Sequence, residues 1–485
     1  MHHMKRFLYT MSLVGILSIT NGQQKPNIIF IMADDLGYGE LGCYGQQKIK
    51  TPNIDQMAKE GMRFTQYYAT TLCASTRCSF ITGLSGAHAM IRDNHELGGY
   101  TDDEEFGQMP LASNTMTVAT ELKKAGYKTA HIGKWGLGGP GSTGVPNKQG
   151  FDFFYGYLDQ KQAHNFYPSH LWRNETSEKL QPFFSAHQKF TGDSTKEKEY
   201  DKYKGKIFSQ DTMAAEAVKF ISQNKNNPFF LYLALTLPHL ALQVPDEGLK
   251  QYETVFEEKP YNGSKGYLPH FKPRSAYAGM ISRLDKYVGL ILETLKKTGL
   301  DKNTLVIFTS DNGATVPGTG GADTEFFNSN GNLRGYKGSL YEGGIREPFI
   351  ARWPGKIAAN TTNNKVCAVW DMMKTFCDIG KVKSVFFTDG ISLLPELTGK
   401  ISPQHEYLYW EVHGYANGIQ AMRWKNWKAV RKGIHKDKNA AVELYNLDTD
   451  ENEKTDVAAQ HPDVILKIKD LLRKRNIAMI KEWNF

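Results

Sequence analysis

Three short stretches of this chain carry residue types that could do chemistry. Asp34-Asp35 and Asp311-Asn312-Gly313 each close an apolar run, and Cys73 precedes Arg77 by four positions. Carboxylate and amide oxygens with no His or Cys interleaved are hard donors, which suits calcium, or magnesium as the alternative, rather than zinc. Residues i and i+4 share a helix face, so Arg77 can stand beside whatever group residue 73 carries. A helix starting near Ser75-Thr76 would turn its N-terminal N–H groups toward an anion. Taken alone, Cys73 and Cys78 read equally as a buried thiol pair or a disulfide. Taken alone, each acidic tip reads more simply as a turn.

The segment Leu72-Cys-Ala-Ser-Thr-Arg-Cys-Ser-Phe-Ile-Thr-Gly83 resembles the signature of the type I sulfatases, in the alkaline phosphatase superfamily. Ser75 and Thr76 depart from the residues the signature usually carries there. The resemblance implies that Cys73 is oxidised by a maturation enzyme to formylglycine. The hydrated aldehyde carries two hydroxyls on one carbon: one attacks sulfur, and the other then expels sulfate, splitting a hard step into two easier ones. It also implies that Asp34, Asp35, Asp311 and Asn312 bind one calcium ion together with residue 73.

Further matches follow in family order. Gly133-Lys134-Trp135 resembles the Gly-Lys-Trp-His element, with Gly136 in place of the His that the family assigns to deprotonation. His131 and His164 are the candidates to replace that base, His131 reading more simply as a core histidine. Pro238-His239 resembles the Pro-His whose imidazole protonates the departing oxygen. Arg334 to Pro348 resembles the late signature, with Lys337 as a second sulfate-binding lysine and Glu342 with Arg346 as a structural ion pair. Fixed cations aimed at developing charge are what sulfate transfer needs, a role that falls to Arg77, Lys134 and Lys337.

The elements that position these residues are legible in outline. Asn27 to Ala33 and Thr304 to Ser310 are continuous apolar runs, as in strands buried on both faces. Phe229 to Leu235 and Lys128 to Ile132 read the same way. Helix-period segments lie between them at Thr115 to Ala125, Thr212 to Gln223 and Ser275 to Lys297. Strands alternating with helices predict an α/β fold: a large mixed, mostly parallel sheet flanked by helices. From about Ser402 the runs become short and alternating, then a helix opens on Pro462, which predicts a smaller C-terminal antiparallel sheet plus helix. The expected division is a signal peptide at 1–22, a catalytic domain at 23–401 and a C-terminal subdomain at 402–485. Arg173 to Lys206 reads as a polar surface excursion.

Lys5 and Arg6 followed by an apolar run to Ile19 predict a removable export segment, hence a periplasmic or secreted protein. No later segment is apolar enough to cross a bilayer, so no stable membrane anchor is expected. The net charge of +8 over 485 residues is mild, and no basic-aromatic stripe or zinc-finger spacing points to nucleic acid. Five cysteines are few for an exported disulfide scaffold. The expected partner is a sulfated sugar or oligosaccharide. His164 and Asn165, Trp172 and Arg173 are candidate pocket residues, and Trp410 to His413 a candidate rim. A phosphate or phosphonate monoester hydrolase of the same superfamily, and an inactive sulfatase-like binding protein, are the competing readings.

Overall fold

A computed structural model describes residues 25–97, 105, 107–183, 185–188, 190–474 and 483; the expected export segment lies outside them. Among the described residues, eleven strands form one sheet: β1 Asn27–Asp34, β2 Met62–Tyr68, β3 Lys128–Lys134, β4 Phe153–Tyr157, β5 His170–Arg173, β6 Thr176–Lys179, β7 Phe229–Pro238, β8 Thr304–Ser310, β9 Arg346–Arg352, β10 Thr361–Asn363 and β11 Cys367–Ala368. Their order is β10-β2-β9-β8-β1-β7-β3-β4-β5-β6, with β11 also paired to β2. The central block β8-β1-β7-β3-β4 is parallel; outside it β9 pairs antiparallel with β8, β5 with β4 and β6 with β5. This is the predicted mixed, mostly parallel sheet.

The apolar runs explain the centre. In β1, Ile28, Phe30 and Met32 enter the core on one face while Ile29, Ile31 and Ala33 enter the core on the other. A strand buried on both faces cannot alternate polar with apolar. The helix Pro273–Lys297 closes one face with Met280, Leu284, Val288, Ile291 and Leu295, all buried. On the opposite face lie the helices Cys73–Thr82, Val118–Lys124 and Asp371–Ile379, which contribute Phe80, Leu122 and Phe376. The helix expected from Thr115 begins later: Thr117 is its N-cap, in a reciprocal box with Thr120.

A second sheet of four antiparallel strands follows: β12 Leu408–Val412, β13 Ile419–Trp424, β14 Trp427–Lys432 and β15 Val442–Asn446. The helix Pro462–Lys474 packs Val464, Ile468, Leu471 and Leu472 against Tyr409, Met422, Ala429 and Leu444. The polar stretch after Arg173 is only partly an excursion, because β5 and β6 extend the main sheet through it. None of the described helices is long and apolar enough to cross a membrane.

Candidate active site

Four adjacent parallel strands each deliver one chemical group at their carboxyl ends, where sites form in open α/β sheets. β8 leads into Asp311-Asn312, β1 into Asp34-Asp35, β7 into Pro238-His239, and β3 ends on Lys134. The helix Cys73–Thr82 brings residue 73 over these tips, starting at Cys73 itself rather than at Ser75-Thr76. Thr76, one of the two departures from the signature, fixes that placement: its hydroxyl donates to the carbonyl of Asp311 at 2.6 Å and accepts from the N–H of Thr70 at 3.0 Å. Ser75, the other, donates to the carbonyl of Leu72 at 2.9 Å.

The expected residues converge. The Cys73 Sγ lies 3.2 Å from Asp34 Oδ1 and 3.4 Å from Lys337 Nζ. Arg77 donates to Asp311 Oδ2 at 2.9 Å and to the carbonyl of Lys134 at 2.9 Å, with Asp34 at 3.6 Å. Lys134 Nζ meets Asp34 Oδ2 at 2.7 Å, and Lys337 Nζ meets Asp35 Oδ1 at 2.7 Å. His239 Nε2 stands 3.5 Å from Asp35 Oδ2, while its Nδ1 donates to the carbonyl of Leu240 at 2.6 Å. Lys337 reaches the cluster because its loop is pinned to the segment before the helix: Thr71 donates to the carbonyl of Ser339 and Gly338 N–H to the carbonyl of Thr71.

All these groups are buried except Lys337, which is half-buried, so their charges act strongly on one another. Burial opposes charge on Asp34, yet Lys134, His239, Arg77 and Lys337 outweigh it and hold that carboxyl well below its usual range. Asp311 goes the other way: burial and the charge of Asp34 push it up to about 7. Burial, with Asp311 and Asp34, raises the Cys73 thiol above its ordinary range, so an unmodified cysteine stays protonated here. Burial pushes His239 down to about 4.

The residues fit a hard divalent cation. Ligand atoms of Asp34, Asp35, Cys73 and His239 lie within 4.8 Å of one another. Asn312 Nδ2 donates to Asp35 Oδ1 at 2.7 Å, which leaves its Oδ1 buried without a hydrogen-bond partner among the described residues. A buried acceptor with no donor, beside carboxylates that repel one another, is what a cation satisfies.

The remaining expected residues fare differently, some as expected and some not. Cys73 and Cys78 form no disulfide; all five cysteines are free, and Cys78 is a core residue. His164 is at the site, its ring stacked on His239 at 4.6 Å. Asn165 ties its own loop: its side-chain oxygen accepts from the N–H of Tyr167 and the amide of Gln243. Trp172 donates to Glu105, and Arg173 is held by Glu178 and Glu216, on an outer strand away from the cluster. His413 pairs with Glu411, while its N–H is held by Asp93. Trp410 is core rather than rim, wedged among Tyr68 and Trp370. His131 is enclosed by Trp135, Phe151, Phe154 and Tyr232, and burial lowers it to about 3. Glu342 and Arg346 stand 3.5 Å apart, but the closer cation to Glu342 is Lys428 at 2.9 Å.

Sequence reading missed Asn94 and Tyr267. Asn94 Oδ1 accepts from the N–H of Ala74 at 2.9 Å and from Gln160 Nε2 at 3.3 Å, so it supports the start of the helix that carries residue 73. The missing side chain at Gly136 has a steric reason: a Cβ there would meet Gln160 Cγ at 2.6 Å, and φ is +76°. Neither Asn94 nor Tyr267 sits in a run whose pattern announces a site.

The architecture and the cluster fit one class: a hydrolase of anionic esters, with a buried group at position 73, three cations and oxygen donors that could hold a hard metal gathered at the tips of a parallel sheet. The chain belongs to the sulfatase family, whose model ("Sulfatase") matches residues 26–382, and it is a sulfuric ester hydrolase. A second model, "N-sulphoglucosamine sulphohydrolase, C-terminal", matches residues 335–479. The chain is 32% identical to N-acetylgalactosamine-6-sulfatase of Rattus norvegicus over 88% of its own length and 77% of the relative's. It is 30% identical to N-acetylgalactosamine-6-O-sulfatase of Bacteroides thetaiotaomicron, over 93% and 94%. Among solved structures, the crystal structure of Ps i-CgsB is 27% identical with a TM-score of 0.76, covering 94% of each chain.

Proposed function

We propose that this sulfatase removes sulfate from a sulfated carbohydrate of the galactose or N-acetylgalactosamine type, using formylglycine at position 73 and one calcium ion. The observation that carries the reading is residue 73 set between Asp34 and Lys337 at the tips of four strands. Relatives that act on N-acetylgalactosamine sulfates, and a 26% identical structure in complex with k-i-k-neocarrahexaose, support the sugar class. The same reading takes residues 1–22 as an export signal, which suits an extracellular polysaccharide.

Asp34, Asp35, Asp311 and Asn312 would hold the cation, which supplies positive charge to the sulfate oxygens when bound. The Cys73 Sγ marks the place of the aldehyde hydrate, whose hydroxyl is the attacking group once maturation has taken place. The chain's own residues do the rest. Lys134 and Lys337 present ammonium groups where charge develops on the transferring sulfo group, and burial strengthens them. Arg77 locks Asp311 and Asp34 in place and keeps residue 73 turned to the cluster. His239 Nε2 faces the site because its Nδ1–H is committed to Leu240; taking up a proton there, it hands that proton to the departing sugar oxygen. An anionic ester beside the ring favours that protonated form.

Two measurements test the reading. Mass spectrometry of the tryptic peptide Phe64 to Arg77 from the native host is expected to show the lighter aldehyde rather than the thiol. Sulfate release from sulfated galactose and N-acetylgalactosamine is expected to exceed phosphate release from matched phosphate esters. An unmodified thiol with no sulfate release would overturn it.

A further inference from the structure

The loop between Tyr261 and His270 has no part in holding the sheet or the cluster, yet it is built with care. Its ends are tied by a two-bond bridge, Tyr261 N–H to His270 O at 2.9 Å and His270 N–H to Tyr261 O at 3.0 Å. Inside, Lys265 N–H donates to the Tyr261 hydroxyl at 2.9 Å, and that hydroxyl donates to the carbonyl of Gly266. Gly320 N–H donates to the carbonyl of Lys265 from outside at 3.2 Å. The residue at the turn, Tyr267, is not a glycine, yet its φ is +63°. Such a conformation is unfavourable for an L residue and persists only where the surroundings impose it.

What this strain secures is the direction of one ring. Tyr267 packs edge-on to His164 at 5.3 Å and to His239 at 6.1 Å, and tilted against His187 at 5.2 Å. Gly320 makes room for it, since a Cβ there would meet Tyr267 Cδ2 at 2.9 Å. The side chain is half-buried, and its hydroxyl, which makes no hydrogen bond to another described residue, is open to solvent rather than sealed in the core. It lies within the field of the cluster: burial lifts the phenol to about 12, with Lys337 pulling it down and Asp35 and Cys73 pushing it up. A solvent-facing donor whose ring lies 6.1 Å from that of His239 is available to a group bound beside that histidine.

We propose that Tyr267 is a substrate-binding residue whose hydroxyl hydrogen-bonds a ring substituent of the departing sugar and sets the ester oxygen against His239. This rests on the carbohydrate reading above, because a leaving group without hydroxyls or amides offers the tyrosine nothing to bind. A site built to pair a polar group rejects a ligand lacking it, since its own donor is then left unsatisfied.

The test compares two substrates across Tyr267→Phe, which keeps the ring stacking and removes only the hydroxyl, and Tyr267→Ala, which removes both. On a sulfated monosaccharide cleaved by the wild-type enzyme, N-acetylgalactosamine 6-sulfate being the first probe of the panel, kcat/KM of Tyr267→Phe is expected to fall roughly tenfold further than on p-nitrophenyl sulfate, about the worth of one hydrogen bond. Tyr267→Ala is expected to widen that gap. Equal losses on both substrates, or no loss on the sugar, overturn the assignment to Tyr267 while leaving the carbohydrate reading standing. Cleavage of p-nitrophenyl sulfate but of no sulfated sugar by the wild-type enzyme overturns both.

Discussion

Gly136 shows how one residue can close a family's usual route and keep the chemistry. Its φ of +76° belongs to the left-handed region, and Gln160 fills the space a side chain would need. Gly136→His is therefore expected to lower thermal stability rather than restore a base, by about 1–2 kcal/mol for the backbone alone. Adding Gln160→Ala should relieve the contact but not the backbone term, which paired thermal melts would resolve. Lys134 and Lys337 are different in kind, because each places an ammonium beside a carboxylate of the cluster. Lys337→Met is expected to cost about 100- to 1000-fold in kcat with the fold intact, the usual loss of one preorganised donor. The orphaned Asn312 Oδ1 leads to a third outcome: added calcium should raise the melting temperature of the wild-type protein, as any ligand of the native state does. Asn312→Ala should need more calcium for the same rise. A melting curve indifferent to calcium would remove the cation from this site.

At the scale of elements, the sequence was readable where burial is two-sided. β1 and β8 are buried throughout around apolar centres, and their ends point directly to Asp34-Asp35 and Asp311-Asn312. The signature segment was readable through its resemblance to the family's, and the i, i+4 spacing then sets residue 73 and Arg77 beside the same acid, Asp34. β13 was not readable: Gln420 and Arg423 are buried within Ile419–Trp424, which erases the alternation that marks a strand facing water on one side. Arg423 is accommodated because it donates to Tyr68 and Gln66 across the join with the main sheet. Tyr267 and Asn94 were invisible for another reason: they act through loops whose ends lie far apart in the chain from residue 73. The helix Cys73–Thr82 shows what such non-local ties contribute. Thr76→Val keeps the shape but leaves the Asp311 carbonyl and Thr70 N–H without their partner. The expected cost is about 1–3 kcal/mol, read as a lower denaturant midpoint with unchanged slope.

At the scale of the whole molecule, the two sheets are joined by a buried charge network, and its pH dependence can be derived. Lys428 of β14 pairs with Glu342 at 2.9 Å and Glu453 at 3.4 Å, all three excluded from solvent. Glu342 begins the turn that follows the loop carrying Lys337, so the C-terminal sheet buttresses the site from behind. Burial opposes charge on Glu342, but Lys428, Arg346 and Arg423 bring its carboxyl down to about 2. Burial and the charge of Glu342 lift Glu453 to about 7, against an ordinary value of 4.5, with Lys428 resisting. The two limbs have opposite signs. Between pH 4.5 and about 7 the folded protein holds a proton on Glu453 that the unfolded chain has lost, so the stability from this group falls as pH rises. Below 4.5 the unfolded chain takes up a proton that folded Glu342 refuses, so stability falls as pH drops toward about 2. Chemical denaturation of Glu453→Gln against the wild-type protein should therefore show a difference that grows in favour of the variant from pH 5 to 7. Lys428→Met should instead lose about 3–5 kcal/mol, because it strands two acids in the interior. If the Glu453→Gln difference stays constant across that range, Glu453 is charged throughout, and the join between the sheets is held by an ordinary ion pair instead of a shared proton.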